Sequence, residues 1–224
     1  LRRATQQELD EAVTALRNGE LVAFPTETVY GLGANARDPS ALKKIFEAKG
    51  RPPTHPLILH LDSARFLPRW AIDISPRVEV LAERFWPGPL TIVLRRHPDI
   101  SEILTGGQDT IAIRVPSHPM AQQLLTAFGG GIAAPSANRY GRLSPTRAEH
   151  VREELGDAVG VILDGGESTI GLESTIVSLV EGPPRLLRPG GVRIDQLREA
   201  LPDLEVGASA NSPRVPGSTR PPRP

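Results

Sequence analysis

The sequence predicts a mixed α/β fold: an open, twisted sheet of mixed strand direction with covering helices. Short apolar runs alternate with amphipathic stretches through the first two thirds of the chain, as sheet and helix layers require. Three strand-like runs, 161–163, 175–180 and 185–188, then follow with no helix between them. That order argues against a purely parallel sheet.

Each element has its own signal. Thr5 with Glu8 forms a capping box for a helix running to about residue 18, closed by Gly19. Residues 21–24 make a short apolar strand ended by Pro25. Asp38-Pro39 opens a helix over 40–49, stopped by Gly50. Residues 57–61 form a buried strand, and Ser75-Pro76 begins a helix through Phe85, broken by Trp86-Pro87-Gly88-Pro89. Residues 91–94 and 111–115 are strands, 119–128 a helix, and 132–134 a strand behind three glycines. Thr146 with Glu149 predicts a second capping box, for a helix to Leu155, and 195–201 is the last helix. From Gly207 the chain reads GASANSPRVPGSTRPPRP, too poor in apolar surface to fold. One domain over 1–205 and a Pro/Gly/Ser-rich linker or disordered tail over 206–224 are therefore expected.

Composition narrows the function classes. Basic and acidic residues number 26 each among 224, whereas a bulk polyanion binder carries a basic excess. The chain has no cysteine, which excludes disulfides, thiolate catalysis and Cys-based metal sites. No apolar run is long enough to span a bilayer, and the N-terminal segment is polar and helical rather than signal-like. No membrane partner and a cytoplasmic location are expected. Residues 31–36, GLGANA, match a GxGxxA pattern, but no acidic residue follows in the context a dinucleotide site needs. The five histidines lack zinc-helix spacing, and no acidic cluster resembles a metal cage.

Polar residues gather instead just past strand ends, where α/β folds bind ligands. Pro25-Thr26-Glu27-Thr28 sets hydroxyls and a carboxylate there; a turn capping its own backbone is the other reading. Lys49-Gly50-Arg51 is either an anion clamp or a pair of cations on a helix C-terminus. Arg114 sits in an apolar strand, as a carboxylate-binding arginine or half of a structural salt bridge. His60, also in an apolar strand, taken alone reads as a core histidine. Ala134-Pro135-Ser136-Ala137-Asn138 follows a buried strand, and Ser144 to Thr146 stand ahead of a helix N-terminus, as phosphate-binding groups or simple caps; Glu173-Ser174-Thr175 and Arg188-Pro189-Gly190-Gly191 complete the series.

Together these segments resemble the YrdC-like threonylcarbamoyl-AMP synthases. PTETVYGLG (25–33), KGRP (49–52), PLILH (56–60), WPGPLT (86–91), TIAIRVPSHP (110–119), APSAN (134–138), SPT (144–146), ESTIVS (173–178) and LRPGG (187–191) stand in family order. The resemblance implies an open α/β fold with a deep, positively lined concave site. It implies the reaction of L-threonine, bicarbonate and ATP to threonylcarbamoyl-AMP and pyrophosphate. ATP is then a substrate and Mg2+ comes with its phosphates; a separate tRNA threonylcarbamoyl-transferase complex uses the product at adenosine 37. By the same resemblance, Thr28, His60, Arg114 and Ser174 hold threonine. Arg51, His55, Thr110, Ser136, Asn138, Ser144 and Arg188 hold ATP, and Lys49 and Arg51 are the catalytic cations.

Two departures stand out. His55 occupies a place where the family more often has asparagine, and the tail resembles the start of a family linker but lacks its tyrosine. Two other classes compete: a non-enzymatic RNA-binding module with weak, shape-based RNA affinity, and a carbamoyltransferase domain using carbamoyl phosphate. Oligomeric state is not encoded in any motif.

Overall fold

The computed structural model describes residues 2–209 and 212–217. Among them the strands are β1 (Val22–Phe24), β2 (Gly31–Asn35), β3 (Ile58–His60), β4 (Ala71–Ile72), β5 (Leu90–Arg96), β6 (Thr110–Arg114), β7 (Ile132–Ala133), β8 (Val161–Ile162), β9 (Thr175–Ser178), β10 (Arg185–Arg188) and β11 (Glu205–Val206). They form one mixed sheet in the order β11-β10-β9-β5-β6-β3-β7-β2-β1-β8, with β4 paired to the end of β5. The helices are α1 (Gln6–Arg17), α2 (Pro39–Lys49), α3 (Pro76–Phe85), α4 (Glu102–Thr105), α5 (Pro119–Phe128), α6 (Ala148–Leu155) and α7 (Ile194–Ala200). No helix of the described residues is long and apolar enough to cross a membrane.

Strand periodicity divides the apolar residues between two faces. Leu57, Leu59, Ile111, Ile113, Leu90, Ile92 and Val177 point one way into the main core, where Leu42 and Ile45 of α2, Leu81 of α3 and Leu197 of α7 cover them. On the other face α1 and α5 cover only one side, with Leu16, Leu124 and Leu125 packed on Phe24 and Ile132. Over β3, β6, β5 and β9 that face carries no helix. A small patch of Ile58, Ala112, Val93 and Ile176 lies there beneath Val215. This uncovered half is the concavity.

Several local expectations need correction. No strand is expected over the glycine-rich 31–36 stretch, yet β2 forms there. Its glycines serve close packing: a Cβ at Gly33 would lie 2.8 Å from Ile132 Cγ2 and 2.9 Å from Phe24 Cε1. The second capping box does not form, since α6 starts at Ala148 and its N-cap is Arg147, which makes no side-chain cap bond. The segment before it is held elsewhere, by Tyr30 N on Pro145 O at 2.8 Å and Ser168 N on Thr146 O at 2.9 Å.

The expected tail, 206–224, lies partly outside the described residues, and its described part is docked rather than free. Val206 pairs in β11. Gln108 accepts from Arg214 N at 2.6 Å and donates to Arg214 O at 3.1 Å, and Val215 is buried. Main-chain hydrogen bonds thus do what the sparse apolar content of the segment could not.

Gly33→Ala is expected to destabilise the fold by ~1–3 kcal/mol through overpacking. A urea midpoint lowered at constant m-value shows this; an unmoved midpoint contradicts the packing described for β2.

Candidate functional site

Register builds the floor of the concavity. His60 pairs with Arg114 across β3 and β6, and Arg114 pairs with Thr91 across β6 and β5. One step along the same face, Ile58, Ala112 and Val93 form the apolar row. The chain thereby places a polar row and an apolar row side by side on the uncovered half of the sheet. The turn after β1 brings Thr26 to Thr28 to the rim, and the bridge of Gly31 to Ser136 brings in the segment after β7. The loop before β9 supplies Glu173 and Ser174, and β10 supplies Arg188.

One cavity gathers Thr28, Arg51, His60, Arg114, Ser136, Ser174 and Arg188, seven of the residues singled out in the sequence. Thr26, Glu173, Pro216 and Gly217 also line it. The others take different places. Lys49 is buried behind the wall, its Nζ donating to Ser136 O at 2.5 Å and to Asn138 O. The Asn138 Nδ2 group donates to Arg139 O and Arg142 O at 2.9 and 2.8 Å, which shapes the loop rather than the cavity. Ser144 reaches the site through Glu173, donating to its Oε1 at 3.0 Å. His55 is half-buried edge-on against Tyr140, with ring centroids 5.4 Å apart, and does not line the cavity. Thr110 lies at the other end of β6, in a second cavity with Gln108, Ser178 and Arg214. The strap 212–217 separates the two, since Val215 sits on the apolar row between them.

Arg114 is the most constrained cation. Its side chain is 4% exposed, and Nη2 meets Glu27 Oε1 at 2.5 Å. Nη1 donates to Thr28 Oγ1 at 2.8 Å and Nε to Gly88 O at 3.2 Å. The salt-bridge reading of Arg114 therefore holds, and the residue still lines the cavity. Arg188 is braced similarly, by an ion pair with Glu173 and by donation to Ser174 O, Ser174 Oγ and Pro216 O. Arg51 Nη2 donates to Pro56 O at 3.0 Å, while its buried Nε has no partner among the described residues.

Burial sets the protonation states. It pushes Lys49 down to about 7, with repulsion from Arg51 adding to the shift. Arg51 is lowered to about 10 by burial, and Arg188 is lowered for the same reason. Cations that burial and mutual repulsion disfavour gain most when an anion arrives. His60 is driven to about 3 by burial and then by Arg114. The ring is therefore neutral, and its Nδ1 lies 3.1 Å from Ile58 O, a contact that a proton on Nδ1 satisfies. In the sequence Glu27 and Glu173 stand among the polar residues past strand ends, but neither receives a role of its own there. The signal was available: a buried strand arginine needs a carboxylate, and these two flank the motif hydroxyls.

These features place the site among known proteins. The Sua5/YciO/YrdC family model, described as telomere recombination, matches residues 14–190. The chain belongs to the Sua5/YciO/YrdC family. A threonylcarbamoyl-AMP synthase of Pyrococcus abyssi (strain GE5 / Orsay) is 48% identical over 207 residues, covering 90% of this chain and 61% of the relative. One from Bacillus subtilis (strain 168) is 46% identical, covering 89% and 58%. The crystal structure of P. abyssi Sua5 complexed with L-threonine superposes with a TM-score of 0.93 at 46% identity, over 98% of this chain and 66% of that one. The Sua5/YciO/YrdC chain described here thus spans about three fifths of the length of the curated relatives it matches.

Lys49 also makes stability depend on pH. Its folded value near 7 lies below the ordinary 10.5, so between those pH values the unfolded chain binds more protons than the fold. Its contribution therefore rises with pH across that window and is least favourable below it. Urea titrations of wild type and Lys49→Met at pH 6, 7.5 and 9 are expected to show the difference shifting in favour of wild type as pH rises. A constant difference contradicts the lowered value.

Proposed function

We propose that this chain makes L-threonylcarbamoyl-AMP from L-threonine, bicarbonate and ATP with release of pyrophosphate, acting as a nucleotidyltransferase in tRNA modification. The observation that carries the reading is one cavity lined by Arg114, Arg51 and Arg188 together with neutral His60 and the hydroxyls of Thr28, Ser136 and Ser174. An amino-acid carboxylate on Arg114 and a triphosphate on Arg51 and Arg188 account for the arrangement. The names and the bound threonine of the relatives support the same chemistry.

The reaction needs no protein nucleophile. The threonine nitrogen takes up carbon from bicarbonate, losing water and giving a carbamate. A carbamate oxygen then bonds to the α-phosphorus as the bond to the bridging oxygen breaks and pyrophosphate leaves. Holding the three reactants in contact is the larger effect, and cations facing the developing phosphate charge are the second. Thr28, His60, Arg114 and Ser174 hold threonine; Arg51, Ser136, Ser144 and Arg188 hold the nucleotide; and Lys49 keeps the 136–138 wall in place beside the phosphates. Mg2+ comes with the ATP phosphates, whose oxygens suit its hard-cation coordination. The product passes to a separate transferase complex.

Pyrophosphate release in bicarbonate buffer with Mg2+ is expected to require both L-threonine and ATP. Release that ignores threonine, or failure to bind either substrate, would sink the reading. Arg114→Ala and Arg51→Ala each lower kcat/KM by a factor on the order of 10² or more, the loss of a buried charged contact. Serine is expected to remain a poorer but real substrate, because one methyl discriminates by only ~1–3 kcal/mol; equal efficiency with glycine contradicts that pocket.

A further inference from the structure

Glu27 touches no expected ligand, yet Arg114 rests on it. We infer that Glu27 is a positioning residue for the carboxylate of the amino-acid substrate, acting through Arg114; this rests on the functional reading above. An arginine has five N–H donors. Arg114 spends one of Nε on Gly88 O, one of Nη1 on Thr28 Oγ1 and one of Nη2 on Glu27 Oε1. One N–H remains on each terminal nitrogen. Those two remain free to meet the oxygens of a carboxylate. Glu27 and Thr28, by holding the two terminal nitrogens, decide which two are left.

The holders are themselves fixed. Thr26 Oγ1 donates its single proton to Val29 O at 2.6 Å. In the 2.8 Å contact between Thr26 and Thr28, Thr28 is therefore the donor. Thr28 Oγ1 then meets Arg114 with a lone pair, and it cannot swing round to donate. Glu27 Oε2 accepts from Ser117 N at 3.0 Å, at the connection between β6 and α5. The main-chain oxygen of Glu27 accepts from Ile170 N at 2.8 Å. The carboxylate thus ties the 26–28 turn to residues 114–117, and the main-chain oxygen ties it to Ile170. Both side chains of the pair are buried, at 4% and 5% exposed, so losing either one leaves the other an uncompensated buried charge. A carboxylate serves where an amide does not: both contacts come from donors, and only a carboxylate offers two accepting oxygens.

The test compares L-threonine with L-threonine amide, which lacks the carboxylate, by calorimetric titration of wild type and Glu27→Gln. In Glu27→Gln either Arg114 Nη2 or Ser117 N faces an amide NH2 instead of an oxygen. L-Threonine affinity is expected to fall ~10-fold or more, ATP affinity to stay within about twofold of wild type, and the preference for threonine over its amide to shrink towards one. A merely structural role would weaken threonine, its amide and ATP together, and that result overturns the proposal. A preference that survives Glu27→Gln also overturns it, alone. Absence of the preference in wild type overturns the functional reading, and this proposal with it. Should Glu27→Gln not fold, Glu27→Asp carries the same comparison: one methylene shorter, it cannot reach Arg114 and Ser117 N together, and an unchanged preference again overturns the inference.

Discussion

A charged side chain inside a sheet must be paired or it will not stay there, and the structure turns on this constraint at Arg114. The guanidinium stands on β6 among apolar neighbours, where leaving it unpaired would cost several kcal/mol (~3–5). Glu27, Thr28 and Gly88 O meet that demand with three bonds, drawing the turn after β1 and the loop before β5 onto the end of β6. The pairing and the concavity have one cause. Helices α1 and α5 cover only half of their face, and the polar row of β3, β6 and β5 occupies the half left open.

A second ion pair repeats the device nearer the mouth. Glu173 faces Arg188, and Gly190 lets the backbone after β10 pass close to it: a Cβ there would lie 2.3 Å from Glu173 O. Arg51 lines the same cavity, with an Nε unpartnered among the described residues and a lowered affinity for its proton. The carboxylates hold two cations in place without a ligand, and the third is left under-compensated. A site of this kind is rigid before binding and favours anions when they come, as electrostatic preorganisation requires.

Much of this is legible in the sequence because the rules involved are local. Thr5 and Glu8 form their box, and Asp38 caps α2 ahead of Pro39 and Gly50. Period two along β3 and β6 places His60 and Arg114 on one face once the strands are recognised. What escaped depends on contacts far apart in the chain. The glycines of β2 look like a turn unless Phe24 and Ile132 are known to press on them. Thr146 has a cap's spacing, but its carbonyl is claimed by Ser168 and that of its neighbour Pro145 by Tyr30, across loops. Thr110 shares the face of Arg114, yet Val215 lies between them, a separation no strand pattern reports. The strap 212–217 is poor in apolar residues and docks through the backbone, which composition cannot foresee. Glu27 and Glu173 were visible as letters in motifs; only the register shows which arginine each one serves.

The central claim is that the uncovered sheet face holds two anion subsites, one built on Arg114 and one on Arg188 with Arg51. Calorimetric titration of Arg114→Ala and Arg188→Ala with L-threonine and with ATP, each alone, tests this most directly. The account predicts opposite losses: Arg114→Ala binds threonine poorly and ATP nearly as wild type does, while Arg188→Ala loses ATP and keeps threonine. If either variant loses both ligands equally while remaining folded, the two subsites are one, and the account is wrong.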